Sequence, residues 1–168
     1  PIWGTQVICS DISDKSAKVS LKVKVEGAES ISTIIRTKSG KKVASSKEVT
    51  RTDIGFDQEF TVKNPDLWTP ENPALYEAVT SVYANGKVVD EYVTTFGIRS
   101  IELIADKGFF LNGKNRKIQG VCNHHDLGPL GAAINEAALR RQLTLLKEMG
   151  CDAIRTSHNM PAPDLVRL

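Results

Sequence analysis

The sequence predicts a mainly β chain followed by a small α/β part, and three patterns support this. Apolar and polar residues alternate from Ala17 to Val25, which is the period of a half-buried antiparallel strand. The pair Asn85-Gly86 lies between two strand-like runs and is typical of a two-residue hairpin. An amphipathic stretch from Asn135 to Met149 predicts a helix.

Short strands dominate the first part of the chain, and no helical pattern interrupts them. Besides the run at 17–25, strands are predicted at 32–37, 42–49, 56–62, 77–84 and 88–95. Short strands with regular turns favour a β-sandwich of the immunoglobulin type, here without the cysteine pair of antibody domains. The proline-rich stretch 63–76 breaks this pattern, so it is expected to be an ordered surface connection. Its Trp68 either plugs the end of the sandwich core or offers a platform for stacking a sugar.

The pattern changes after Arg99. Short strands are predicted at 102–105 and 108–111, then a second hairpin turn at Asn112-Gly113 and a further strand at 116–122. We therefore predict a first domain over residues 1–99 and a second over residues 100–168.

The helix has recognisable ends. Leu139, Leu143, Leu146 and Met149 lie on one face, Asn135 is a suitable N-cap, and Gly150 suits the left-handed stop. Apolar runs precede and follow this helix, which predicts two parallel strands joined by a right-handed crossover.

All three histidines lie just beyond these two strands. The segments are Gly120-Val121-Cys122-Asn123-His124-His125-Asp126 and Ala153-Ile154-Arg155-Thr156-Ser157-His158-Asn159. Because parallel strand ends meet at one edge, where such folds bind ligands, His124, Arg155 and His158 are expected to face one shared mouth. A metal site formed by His124, His125, Asp126 and His158 is disfavoured, because adjacent residues of an extended segment point to opposite sides.

Composition sets limits on function. The chain has 168 residues, of which 40% are hydrophobic and 25% charged, and a net charge of +2. Scattered basic residues give no reason to expect nucleic acid as a partner, and no apolar run is long enough to span a membrane. A soluble protein is expected, with a cytoplasmic and a periplasmic or secreted location in a bacterium both left open. Cys9, Cys122 and Cys151 are interpreted as inert thiols, the last two as small buried apolar residues.

A series of motifs along nearly the whole chain resembles glycoside hydrolase family 2, the family of β-galactosidases, β-glucuronidases and β-mannosidases. The motifs are Asp66-Leu67-Trp68-Thr69-Pro70-Glu71-Asn72-Pro73-Ala74-Leu75-Tyr76, Phe96-Gly97-Ile98-Arg99, Phe110-Leu111-Asn112-Gly113-Lys114, Gly120-Val121-Cys122-Asn123-His124 and Ile154-Arg155-Thr156-Ser157-His158-Asn159. The resemblance implies an internal fragment: the immunoglobulin-like sandwich over 1–99, then the truncated beginning of a (β/α)8 TIM barrel over 100–168. That beginning would comprise a lead-in hairpin, two barrel strands, the first helix and the start of a second helix near 163–168.

The resemblance also implies a retaining exo-β-glycosidase, with a β-galactosidase as the first choice and a β-glucuronidase or β-mannosidase as alternatives. Such hydrolysis uses two carboxyl groups about 5 Å apart. The family carries both glutamates on later barrel strands, so the fragment is expected to contain no catalytic residue and to be inactive alone. A non-catalytic carbohydrate-binding or assembly module is the alternative from another functional class.

Site residues transfer only by motif. The resemblance assigns His124 and His158 to the sugar pocket and Arg155 to the orientation of the nucleophilic carboxylate, with Asn159 and Asp126 as further substrate-site or support residues. The family's arginine before the first histidine is Asn123 here, and its following acid is His125, so no role is assigned to those two positions. No metal or cofactor is expected in the fragment, Mg²⁺ or Na⁺ is left open for the parent, and the expected partners are a β-linked saccharide and a second copy of the chain.

Overall fold

The computed structural model describes residues 4–50, 52 and 55–168, so the first three residues of the predicted first domain lie outside it. Its internal contacts divide the chain into two compact units, Pro1–Asn115 and Arg116–Leu168. The hairpin that follows residue 100 thus groups with the first unit. The domain boundary near residue 100 stays a prediction.

The described part of the first unit contains a two-layer β-sandwich, as predicted. Its strands, in chain order, are β1 (Thr5–Ser10), β2 (Ser16–Val23), β3 (Ser30–Thr37), β4 (Lys42–Ser45), β5 (Val49–Thr50), β6 (Phe56–Lys63), β7 (Tyr76–Ala84) and β8 (Lys87–Phe96). One sheet has the order β1-β2-β6, and the other has the order β4-β3-β7-β8 with β5 also paired to β3. The single strand predicted over 42–49 is therefore two short strands, β4 and β5.

Strand alternation explains where the sandwich core lies. In β2 and β6 every second side chain is buried, and the opposite faces are exposed or half-buried. The buried side chains of both sheets form one cluster: Ala17, Val19, Leu21, Val23, Ala28, Ile31, Ile35, Phe56, Phe60, Val62, Tyr76, Ala78, Val82 and Ile98. The core is thus the space between two facing sheets, as in other sandwiches.

Trp68 is half-buried and is not among the residues that pack on this core. Leu67 packs against the core cluster, whereas Trp68 lies against the backbone of Gly97, where an added Cβ would come within 3.1 Å of the indole. The Arg99 guanidinium carbon lies 4.9 Å from the centroid of the Trp68 ring. This cation–π contact occupies one face of the indole.

A three-stranded hairpin sheet follows the sandwich in the same unit. Its strands are β9 (Ile101–Ile104), β10 (Gly108–Leu111) and β11 (Lys114–Asn115), with β10 in the centre. The predicted Asn112-Gly113 turn joins β10 to β11, and both residues have positive φ. The Asn112 side chain accepts a hydrogen bond from the Ser100 backbone N–H and donates one to the Trp68 carbonyl oxygen.

The second unit is the predicted strand, helix and strand. Strand β12 (Gly120–His124) and strand β13 (Ala153–Ser157) pair in parallel, with His124 opposite Ser157, and helix α1 (Glu136–Glu148) connects them. A short 3-10 helix at Gly128–Leu130 precedes α1, and helix α2 (Pro163–Arg167) follows β13. No helix in the described ranges is long and apolar enough to cross a membrane.

Helix α1 confirms its sequence signals. The Asn135 side chain accepts a hydrogen bond from the Ala138 N–H at 3.0 Å, and Gly150 has a φ of +94° after the C-cap Met149. Leu139 is buried, whereas Met149 is 65% exposed. Met149 is the C-cap residue, so the packed part of this face ends before it.

Candidate functional site

The two histidines predicted to share a mouth do lie together. The imidazole rings of His124 and His158 are edge to face, with centroids 5.5 Å apart and an interplanar angle of 82°. His124 ends β12, and His158 follows the last residue of β13 through a cis peptide bond. The parallel register, which pairs His124 with Ser157, explains why residues so far apart in the chain meet.

Arg155 lies on the same face of the strand pair as His124. Its Nη1 donates to the Cys122 Sγ at 3.3 Å and to the Ser157 Oγ at 3.2 Å. Cys122 and His124 are two residues apart in β12, so they share a face. We call the side chains of Cys122, His124, Arg155 and Ser157 the inner-face cluster.

Cys122 is exposed, so its interpretation as a buried apolar residue was wrong. The reason is strand alternation, since the neighbouring Asn123 faces helix α1 and Cys122 therefore faces the other way. Its thiol is hydrogen-bonded to Ser157, and this bond, with the nearby Arg155 guanidinium, holds the pKa of Cys122 below its ordinary value. The thiol belongs to a polar cluster and not to an apolar core.

The opposite face of β12 is fastened to the helix. Asn123 donates from Nδ2 to the Gln142 Oε1 at 3.0 Å, and Gln142 donates from Nε2 to the Asn123 Oδ1 at 3.2 Å. Gln142 lies on the packed side of α1, beside Leu139 and Leu143. Asn123, to which the sequence assigned no role, thus holds the strand end that carries His124.

Asp126 and Asn159 line a small cavity next to the strand ends. Its volume is about 30 Å³, and its wall includes Asn123, Thr156 and Leu139. This is room for water and not for a sugar ring. The Asp126 Oδ1 accepts a hydrogen bond from the Gly128 N–H at 2.7 Å, so this carboxylate closes a turn.

A second polar clamp holds the other end of the strand pair. Asp152 accepts hydrogen bonds from the Arg116 guanidinium at 2.7 Å and from the Gln119 N–H at 2.9 Å. The Arg116 hydrogen bond, followed by that of Gln119, holds the pKa of Asp152 below its ordinary value. The strand predicted over 116–122 is wrong at its start, because side-chain contacts replace ladder pairing before Gly120.

The described residues contain no group of three or more His, Cys, Asp or Glu side chains arranged to hold a metal ion. The inner-face cluster and the adjoining His158 together offer a cation and two imidazoles, which can bind hydroxyl groups and an anionic oxygen.

Sequence reasoning missed Cys122, Ser157 and Gln142 as members of this site. Alternation from His124 places Cys122 on the inner face, and alternation from Arg155 does the same for Ser157. A polar Gln142 among the leucines of an amphipathic helix face was the available signal for the third residue.

Family models and relatives cover almost the whole chain. The model described as glycosyl hydrolases family 2 matches residues 2–99, and the model described as its TIM barrel domain matches residues 102–168. A β-galactosidase of Bacteroides ovatus is 43% identical over 99% of this chain, which spans 21% of that relative. A β-glucuronidase of Bacteroides fragilis is 31% identical over 92% of this chain, which spans 24% of it.

A solved structure has the same fold. A glycosyl hydrolase family 2 member from Bacteroides cellulosilyticus is 36% identical, with a TM-score of 0.88, over 98% of this chain and 23% of its own. The chain thus spans about a fifth to a quarter of the relatives that it matches. On the match of the two family models, which together extend from residue 2 to residue 168, the chain belongs to glycosyl hydrolases family 2.

Proposed function

We propose that this chain is one segment of a retaining exo-β-glycosidase and that its strand ends form one flank of the sugar pocket. The observation that carries the proposal is the contact of His124 with His158 at the carboxyl ends of two parallel strands. Ligands bind at this edge of parallel β/α folds. Membership of a glycosidase family supplies the chemical class of the ligand.

Each polar group has a proposed task in that pocket. The imidazoles of His124 and His158 hydrogen-bond sugar hydroxyl groups, and Asn159 and Asp126 support the same edge. The Arg155 guanidinium binds and orients a carboxylate, because its planar fork matches the two carboxylate oxygens. Arg155 makes no ion pair in the described part of the chain, so its charge is available for that task.

The bond-breaking groups are proposed to come from other parts of the whole protein. Retaining hydrolysis needs an acid/base carboxyl group and a nucleophilic carboxylate about 5 Å apart. Asp126 is the carboxylate that lines the cavity, and it is engaged in a turn with Gly128. The relatives are four to five times longer than this chain, which leaves ample length for both groups.

A β-galactoside is the first proposed substrate. The support is the 43% identity to the β-galactosidase of Bacteroides ovatus. A β-glucuronide is the second candidate, supported by the β-glucuronidase of Bacteroides fragilis at 31% identity. A carbohydrate-binding module without catalysis is less well supported, because Trp68, the candidate for stacking a sugar, is half-buried and has the Arg99 guanidinium over one face of its ring.

No cofactor is proposed for this segment. For the whole enzyme, we propose binding of Mg²⁺ or Na⁺. Assembly into a homo-oligomer is also proposed.

The test compares turnover by the 168-residue chain with turnover by the whole protein. Chromogenic β-galactoside and β-glucuronide are supplied to both, and release of the chromophore is followed. We expect turnover of the β-galactoside by the whole protein and none by the chain. Turnover by the isolated chain would contradict the proposed division of roles, and sole use of the β-glucuronide would select the second substrate.

Binding is measured separately. Calorimetric titration of the chain with galactose is expected to release no measurable heat, because the described cavity is too small for a sugar ring. Tight binding by the chain alone would favour the module over the enzyme segment.

A further inference from the structure

The inner-face cluster contains an arginine held by two uncharged groups. The Arg155 Nη1 donates to Cys122 and Ser157 at 3.3 and 3.2 Å, and no carboxylate pairs with it in the described part of the chain. An exposed arginine side chain ordinarily samples many rotamers. Two acceptors on Nη1 restrict the rotamers of Arg155. They leave Nη2 able to bind another group.

The backbone fixes both acceptors. Cys122 is the Cα partner of Arg155 in the parallel pair, and Ser157 lies two residues after Arg155 on the same face. Ser157 is only 4% exposed, so its hydroxyl has little freedom to move. The thiol and hydroxyl are also hydrogen-bonded to each other. The Cys122 thiol and the Ser157 hydroxyl therefore hold the Arg155 guanidinium in place, and we call this pair of acceptors the seat.

We propose that Cys122 and Ser157 are positioning residues that aim the Arg155 guanidinium at the carboxylate it orients beside His124. This inference rests on the proposed glycosidase function for its consequence in turnover. The seat itself is a property of this chain and can be tested without turnover.

The thiol serves as a reporter of the seat. A nearby guanidinium stabilises a thiolate, and the thiolate is the form that alkylating reagents attack. In a chain with Cys9→Ser and Cys151→Ser, only Cys122 reacts with iodoacetamide, and its rate near neutral pH follows the thiolate fraction. Replacing Arg155 with Gln should slow alkylation at least about threefold, and Arg155→Lys should have a smaller effect.

The matched control is Arg141→Gln, which removes an exposed guanidinium from helix α1. We expect the control to alkylate at the parent rate. If Cys122 is alkylated at the same rate in the parent chain and in Arg155→Gln, the proposed contact between Arg155 and the seat is wrong.

Turnover by the whole protein tests the consequence. Cys122→Ala and Ser157→Ala each remove one acceptor, so we expect kcat to fall about tenfold while KM changes less than about twofold, as for a group that acts in the transition state. Cys122→Ser and Ser157→Thr retain an acceptor and should recover most of kcat. Cys151→Ala is the control thiol substitution and should leave kcat unchanged.

The outcomes separate the two proposals. If the unaltered whole protein hydrolyses no β-glycoside, the proposed function fails, while the alkylation rates still decide the seat. If it does hydrolyse one and both alanine variants keep the parent kcat, the positioning role fails. If replacing Ser157 simply impairs folding, Ser157→Ala and Ser157→Thr should both give a low yield of folded protein. The kcat of Cys122→Ala then decides whether the positioning role holds.

Discussion

Asn123 and Gln142 hold each other through two reciprocal amide hydrogen bonds, of 3.0 and 3.2 Å, between the end of β12 and the packed face of α1. Both side chains are half-buried. Asn123 directly precedes His124 in the chain. The position where the family's usual arginine is missing therefore has a structural partner in this protein.

Removing either amide should weaken the second unit. Asn123→Ala and Gln142→Ala are each expected to lower the free energy of unfolding by about 1–2 kcal/mol. In each variant the amide that remains has a donor and an acceptor that have lost their partners. The double variant should cost little more than one single variant, with a coupling energy of about 1 kcal/mol. Urea unfolding monitored by circular dichroism measures all three.

The control for this cycle is Arg141→Ala, an exposed position next to Gln142 on α1. It should change stability by less than about 0.5 kcal/mol. Strictly additive single-variant effects would show that the amide contact contributes nothing.

A glycine allows β12 and β13 to approach each other. A Cβ at Gly120 would lie 2.5 Å from the Ala153 carbonyl oxygen, which is a backbone atom and cannot rotate away. Gly120→Ala should therefore lower the free energy of unfolding by about 1–3 kcal/mol. Backbone amide signals of both strands should shift in the ¹H–¹⁵N spectrum.

Gly113→Ala separates crowding from backbone strain. At Gly113 an added Cβ meets nothing within 4 Å, and only its φ of +73° opposes alanine. This variant should cost about 1 kcal/mol and leave the β12 and β13 signals in place. Unshifted strand signals in Gly120→Ala would argue against the close approach.

Local signals made helix α1 predictable. The N-cap Asn135 and the stop at Gly150 lie at the two ends of the helix, and the spaced apolar residues lie within it. All three signals are therefore local in the sequence. The crossover rule then supplied the parallel pair, and the pair brought His124 and His158 together. The geometry of the predicted mouth thus followed from short-range chemistry plus one topological rule.

Contacts between distant residues were not predictable in the same way. Strand β1 was not predicted, although Val7 and Cys9 pack on the sandwich core once β2 is beside them. The start of β12 was placed too early, because Asp152, far along the chain, binds Arg116 and Gln119. Such contacts depend on the tertiary fold, so they cannot be inferred from the local pattern of a single sequence.

The turn residue Asn112 connects the hairpin sheet to Trp68. Its side chain hydrogen-bonds the Ser100 N–H and the Trp68 carbonyl oxygen, and its φ is +50°. Asn112→Gly preserves this backbone conformation and removes both bonds. We expect a loss of about 1–2 kcal/mol in the free energy of unfolding, measured by urea denaturation.

The other hairpin supplies the matched control. Asn85 is exposed and has a φ of +51°, and the next residue, Gly86, also has a positive φ, as Gly113 does after Asn112. Asn85→Gly carries the same entropy cost in the unfolded chain, so the difference between the two variants isolates the side-chain bonds. Equal losses would mean that the Asn112 contacts do not stabilise the fold.

The Asp152 clamp predicts a component of acid sensitivity in the second unit. The Arg116 hydrogen bond and then the Gln119 N–H hold the pKa of Asp152 below its ordinary value. A lowered pKa in the folded state means that the unfolded chain binds the proton more tightly. The stabilisation is therefore complete above the unfolded pKa of about 3.9 and is lost as the pH falls through the folded value.

Two variants check this sign. Asp152→Asn cannot ionise, so its stability should change less than that of the parent when the pH is lowered from 5 to about 2.5. Arg116→Gln removes the larger cause and retains the Gln119 contact, so its acid-sensitive component should lie between those of the parent and Asp152→Asn. Urea unfolding at a series of pH values gives each component. Parallel pH profiles for all three proteins would show that the clamp does not couple protonation of Asp152 to folding.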